Sequence, residues 1–298
     1  MSGNNYLIDL LKSQALGEGC DEWKALDVEA AKIERIVREA YPHSLIMFTH
    51  GGSRAKGTMI REDYDLDEVC YFQNDDISAG DSLQEIYESI AALLAEYYTI
   101  RRKRSALRLS DPKGKDVRVD VVPGRYVDLS SWDVFIHQNE GDKERLKTNI
   151  RLHIEHVKES GCTDVIMLTK LWRTRNRVDV KTFPLELLVI AILKYDNSGD
   201  LEPRFRRVLT AFAGGIHDFA IVDPANPTGN DLSAALTDVQ RRQIAKIASN
   251  TLQSVDAHGW EQVFGKLERV SAFPRVQVLQ SAAAAAPIQT RPWAYGGE

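Results

Sequence analysis

The chain has little of what marks an exported, membrane-bound or polyanion-coating protein. Only three cysteines, Cys20, Cys70 and Cys162, occur in 298 residues, and no two form a CxxC pair. That excludes a disulfide framework or a zinc ribbon and points to a reducing, cytoplasmic setting. No apolar stretch approaches the roughly 18 residues of a membrane-spanning helix. The opening MSGNNYLIDLLKSQ lacks a basic segment followed by an apolar one, so neither export nor membrane insertion is expected. Positive charge is not in excess either: 38 Lys and Arg stand against 43 Asp and Glu, a net charge of -5. Nothing global draws the chain to nucleic acid. Internal repeats are missing, and the one biased stretch, the alanines at 282–286 followed by PIQTRPWAYGGE, reads as a tail over 273–298.

With 43% hydrophobic and 27% charged residues, the chain suits one elaborated globular domain or two. Its halves differ. Over 1–140 the pattern is α+β: a long amphipathic helix at 22–41, strands at 44–50 and 65–72, a helix at 81–98, and strands at 101–110 and 115–124. Over 141–272 it is nearly all helix, with segments at 143–161, 163–176, 184–195, 203–213 and 236–253 separated by polar or Gly/Pro-bearing breaks.

The chemistry concentrates in GGSRAKGTMIREDYDLDEVCYF at 51–72, where Asp63, Asp65 and Asp67 alternate although like charges on one strand face repel. Such a cluster expects a cation. In a strand, residues 65 and 67 share a face, and a lone aspartate, Asp120, interrupts the apolar run VRVDVVP, where an uncompensated buried charge is costly. Two carboxylates on one strand and a third on its neighbour suit a two-metal phosphoryl-transfer site. Ahead of them, Gly51 and Gly52 let backbone approach a triphosphate, Ser53 adds a hydroxyl and N–H, and Arg54 and Lys56 add positive charge.

The order HGGS, DLD, VDVVP resembles the polymerase-β-like nucleotidyltransferases. LTKLWR (168–173), KTFPLELLVIAIL (181–193) and IVDPANPTGND (221–231) narrow the resemblance to oligoadenylate synthetase, cyclic GMP-AMP synthase and their bacterial cGAS/DncV-like relatives, the CD-NTases of CBASS anti-phage systems. The resemblance implies a polymerase-β-like core with a helical lobe and an active site in the cleft between them. It also implies two Mg2+ ions, replaceable by Mn2+, on Asp65, Asp67 and Asp120, with DLDEVCYF rather than DYDLDE aligning to the metal motif. Gly52, Ser53 and Lys56 fall at the phosphate-binding segment. Lys170 is expected as a solvated lysine reaching the donor triphosphate, Thr182 near the phosphates and Phe183 against a base, with Asp223 and Asn230 as pocket contacts. The implied activity joins ATP and other NTPs into a cyclic di- or trinucleotide, and implied partners are a HORMA-domain activator or a protein conjugated to the C-terminus.

Other features receive plainer readings. His153 and His156 lie one helical turn apart with no further zinc ligand, so they read as a surface pair. The segment 101–125 holds nine Lys or Arg against three Asp, and RRKR within it reads as a charged strand edge. The zinc module of the vertebrate DNA sensor is missing, so direct DNA activation is not expected. An RNA-terminal, small-molecule or protein nucleotidyltransferase, and a non-catalytic nucleotide or RNA sensor, remain alternatives, although all three carboxylates argue against decay.

Overall fold

The computed structural model describes residues 2–267, apart from 115–117, 129, 142, 217–218, 220 and 231. The tail at 273–298 therefore lies outside the described residues. Along the chain come α1 (Gly3–Gln14), α2 (Asp21–Ala40), β1 (Met47–His50), α3 (Gly52–Lys56), β2 (Leu66–Phe72), α4 (Leu83–Ala95), β3 (Thr99–Arg102), β4 (Leu107–Ser110) and β5 (Val119–Tyr126). They are followed by β6 (Val134–His137), β7 (Arg145–Thr148), α5 (Ile150–Glu159), α6 (Thr163–Arg175), α7 (Thr182–Leu193), α8 (Leu201–Ala213), α9 (Asp238–His258) and α10 (Trp260–Phe264).

The strands form one mixed sheet in the order β1-β2-β5-β4-β3, with β6 on the far half of β5 and β7 on β6. β2 and β5 run parallel; the other pairs are antiparallel. Strand alternation sorts the side chains between two faces. Leu66, Cys70 and Phe72 of β2, with Val119 and Val121 of β5, pack under α2 and α4, where Leu26, Ile33, Ile86 and Ile90 close the core. Val69 and Tyr71 belong to a smaller cluster with Tyr126, Val134 and Ile136 on the opposite face. Local signals fix the helix starts: Ser82 and Glu85 cap α4 reciprocally, as do Thr237 and Gln240 on α9.

A third and larger cluster unites the helical half. Leu171 and Trp172 of α6, Leu188 of α7, Phe205 and Phe212 of α8 and Ile244 of α9 meet there, and the Trp172 indole N–H donates to Thr251 Oγ1 on α9 at 3.0 Å. Tyr6, Leu7 and Leu10 of α1 join this cluster, although α1 precedes the sheet in sequence. The Tyr6 hydroxyl ties α1 to the far end by donating to the Gly265 carbonyl at 2.6 Å.

Two expected elements are corrected. Residues 101–110 are not one strand but the β3–β4 hairpin, closed where the Lys103 amide donates to the Ala106 carbonyl at 2.8 Å. The helix expected over 143–161 begins only at Ile150, with the Asn149 side chain as its cap, because Arg145–Thr148 pair with β6 instead. The expected division at residue 140 falls inside that β6–β7 hairpin. Among the described residues all three cysteines are free thiols, and no helix is long and apolar enough to cross a membrane.

Candidate active site

The parallel register of β2 and β5 sets Asp67 directly beside Asp120, and the antiparallel register of β5 and β4 sets Asp120 beside Arg108. Three strands thus carry a row of two carboxylates and a guanidinium on one face. Asp65 stands just before β2 rather than on it, yet Arg108 Nη2 reaches Asp65 Oδ2 at 2.9 Å and Asp120 Oδ2 at 2.7 Å, bridging the two. Lys103, from the segment read as a charged edge, donates to Asp120 as well. Among the described residues no three acidic or histidine side chains form a ready-made cation cage; the chain's own cations hold two of these carboxylates.

The electrostatics follow from this arrangement. Burial acts to raise the pKa of Asp120, but hydrogen bonds and charge from Arg108 and Lys103 outweigh it and hold the carboxyl below the usual range. Asp67 behaves oppositely. Burial, reinforced by the charges of Asp65 and Asp120, lifts it from 3.8 to about 7. It is a carboxyl that ionises readily only when positive charge is brought to it. Asp63, ambiguous in the sequence, pairs with Arg173 Nη2 at 2.7 Å, while Nη1 of the same guanidinium holds Thr182 Oγ1 at 3.0 Å.

The glycine loop meets the carboxylates at the end of β1. The Gly51 amide donates to the Asp67 carbonyl at 2.7 Å, so the loop is pinned to β2. Gly52 has φ +53°, and a Cβ there would stand 1.5 Å from Asp67 Oδ2. Only glycine fits beside that carboxylate. Ser53 and Lys56 follow on the single turn α3.

From the helical half come Lys170 and Glu186, which meet Lys56 of α3. Glu186 of α7, 1% exposed, accepts from Lys56 Nζ at 2.8 Å and from Thr58 Oγ1 at 3.1 Å. Lys170 of α6 is not solvated as expected but 3% exposed; its ammonium donates to the Thr58 carbonyl at 2.8 Å and lies 3.8 Å from Glu186. Burial pushes the Lys170 pKa down against the pull of Glu186, while the two lysines, outweighing burial, hold Glu186 low. Taken as ions, the three sum to one positive charge. Lys56 also sits 4.4 Å from the centroid of the Phe183 ring.

These groups line one cleft of about 350 Å³. Gly52, Ser53, Lys56, Asp65, Asp67, Asp120, Lys170, Thr182 and Phe183 all border it. Asp223 and Asn230 do not. Asp223 is buried behind the wall, accepting from His153 Nε2 at 2.7 Å, Asn230 Nδ2 at 2.6 Å and the Ala225 amide at 2.9 Å. His153, set aside as a surface residue, borders the cleft with Glu186, Lys103, Asp63 and Thr148, and Val69, Tyr71, Val122, Ile136 and Ile150 form the remainder of its wall.

No protein-family model matches the chain. It is 26% identical over 289 residues to the CBASS oligonucleotide cyclase CdnC of Escherichia coli strain KTE188, covering 83% of this chain and 86% of the relative. Solved structures share its fold, two of them as follows. The E. coli MS115-1 CdnC in complex with a HORMA protein superposes with a TM-score of 0.65 at 20% identity, covering 89% of this chain and 98% of that one. The CD-NTase CdnG of Bradyrhizobium diazoefficiens in complex with GTP gives 0.66 at 14% identity, covering 87% and 94%.

Proposed function

We propose that this chain, a homologue of the CBASS oligonucleotide cyclases built on the CD-NTase fold, is a metal-dependent nucleotidyltransferase that joins NTPs, ATP among them, into a cyclic di- or trinucleotide. The observation that carries the reading is the convergence, in one cleft, of the Asp67–Asp120 row and Asp65 with a glycine loop and two lysines. The donor set suits divalent cations. Asp67 stays protonated to about pH 7 without one, and the other two carboxylates are held by Arg108 and Lys103. Two magnesium ions, or manganese in their place, are the cofactor we assign to Asp65, Asp67 and Asp120, supplying positive charge to the attacking hydroxyl and the departing pyrophosphate.

The chain's own residues do the rest. Asp120 orients the attacking ribose hydroxyl and accepts its proton, while the hydroxyl oxygen bonds to the α-phosphorus as the bond to the bridging oxygen breaks and pyrophosphate leaves. The Gly52–Ser53 backbone and the Ser53 hydroxyl hold the donor triphosphate, aided by the surplus charge of the Lys56–Glu186–Lys170 group. The carboxylates and the glycine loop belong to the sheet-bearing part of the chain, and Lys170, Thr182, Phe183 and Glu186 of the cleft wall to the helices. The HORMA protein bound to E. coli CdnC makes an activator of that class the partner to test here.

Incubation with labelled NTPs and magnesium, without an added acceptor, should give a small phosphatase-resistant product and pyrophosphate. Extension seen only on an RNA or small-molecule acceptor would overturn the cyclase reading. A narrower test is Gly52→Ala. The new methyl displaces the Asp67 carboxylate and forces alanine into a left-handed backbone, so turnover should fall about a hundredfold, the scale of a 1 Å misplacement at a reacting centre. Steady-state kinetics decide it; wild-type turnover would mean that the loop yields and the close approach is incidental.

A further inference from the structure

Resting on the reading of this cleft as a nucleotide site, the arrangement around His153 goes one step further. Three observations define it. His153 Nε2 lies 2.7 Å from Asp223 Oδ1. The His153 ring centroid lies 4.6 Å from that of Phe183 at a tilt of 48°. Phe183 in turn carries the Lys56 ammonium over its ring. The aromatic pair thus begins where the phosphate-holding lysine ends and continues along the cleft wall, the position of a base attached to a triphosphate that Lys56 holds.

Asp223 is 1% exposed and accepts from a ring nitrogen, a side-chain amide and a backbone amide. An ionised carboxylate accepts only, so the imidazole nitrogen facing it carries the proton, and in the neutral ring Nδ1 is left as an acceptor without one. We infer that His153 is a specificity-determining residue of the nucleotide site, held in this tautomer by Asp223 as a positioning residue. Its Nδ1 accepts a hydrogen bond from the exocyclic amino group of adenine, whereas the carbonyl of guanine at the same place opposes it lone pair to lone pair. Phe183 supplies the stacking surface, which is indifferent to base identity.

The test is calorimetric binding of nonhydrolysable ATP and GTP analogues at pH 8 to the full chain, with inorganic tripolyphosphate as a base-free control. The wild type should prefer the ATP analogue by about three- to tenfold, the scale of one net hydrogen bond. In His153→Leu the two affinities should come within twofold of each other while tripolyphosphate binding is unchanged. Asp223→Ala removes the acceptor that fixes the tautomer, so the ratio should narrow toward parity while tripolyphosphate binding is unchanged, which a merely structural support would not do. This variant carries the same test should His153→Leu fail to fold. An unchanged ATP-to-GTP ratio in either folded variant, or no preference in the wild type, overturns the assignment of His153 alone. A wild type that binds neither nucleotide overturns the nucleotide-site reading itself.

Discussion

If Asp67 holds a metal ion as proposed, an Asp67→Asn variant should lose turnover at least about a thousandfold at every magnesium concentration, since removing a metal ligand forfeits several kcal/mol of transition-state stabilisation. The same variant should gain stability where the wild type loses it. In the fold Asp67 keeps its proton up to about pH 7, against 3.8 for an unperturbed aspartate. Between these values the folded state binds a proton that the unfolded state has released, so this group's contribution to stability falls as pH rises through that window. Asparagine does not titrate. Thermal unfolding of the two metal-free proteins should therefore show their midpoints diverging from pH 4 to pH 8 in favour of the variant. Parallel curves would contradict the buried, repelled carboxylate, and retained turnover would remove Asp67 from the metal site.

The second large effect belongs to Glu186. It neutralises one of two lysines in a dry environment, and Glu186→Gln would leave Lys170 and Lys56 without their carboxylate. Removing one member of a buried ion pair costs about 3–5 kcal/mol, which in a chain of this size lowers the thermal midpoint by roughly 6–20 °C at about 2–4 °C per kcal/mol. Lys170→Met should cost less, because Glu186 keeps its closer partner Lys56. That variant should instead weaken the stabilisation by ATP and magnesium, since ligand binding to the native state raises apparent stability by mass action. Equal midpoints for Glu186→Gln and wild type would show that the lysines find other partners; equal ATP-induced shifts for Lys170→Met and wild type would remove Lys170 from the phosphate site.

How much of this was legible in the sequence depended on whether the information was local. DLD and VDVVP announce their strands through apolar alternation broken by aspartate, and the glycine loop announces itself by composition, so Asp67, Asp120 and Gly52 are found without coordinates. The partners of the carboxylates are not. Arg108 and Lys103 sit in a run of positive charge that reads as solvated, and only the β4–β5 register shows that Arg108 faces Asp120. Glu186 left a signal that passed unused: it is the one charged residue in TFPLELLVIAIL, a helix otherwise apolar on every side. His153 was misjudged because its partner, Asp223, comes from a distant loop. The helix predicted over 143–161 overran β7 because a four-residue strand is too short to impose its own period against a following helical pattern.

The parallel pairing of β2 with β5 carries a consequence for how the protein comes into being. Parallel neighbours cannot be joined by a tight turn, and here the connection runs through α4, β3 and β4 before β5 arrives. Asp67 and Asp120 are therefore strangers during the early life of the chain and meet only on completion of this long-range pairing, the kind of contact that forms slowly because its loop-closure entropy comes first. Half-assembled chains are spared the repulsion between them and lack the proposed ion site. The appearance of tight metal affinity during refolding would thus time the closing of the sheet.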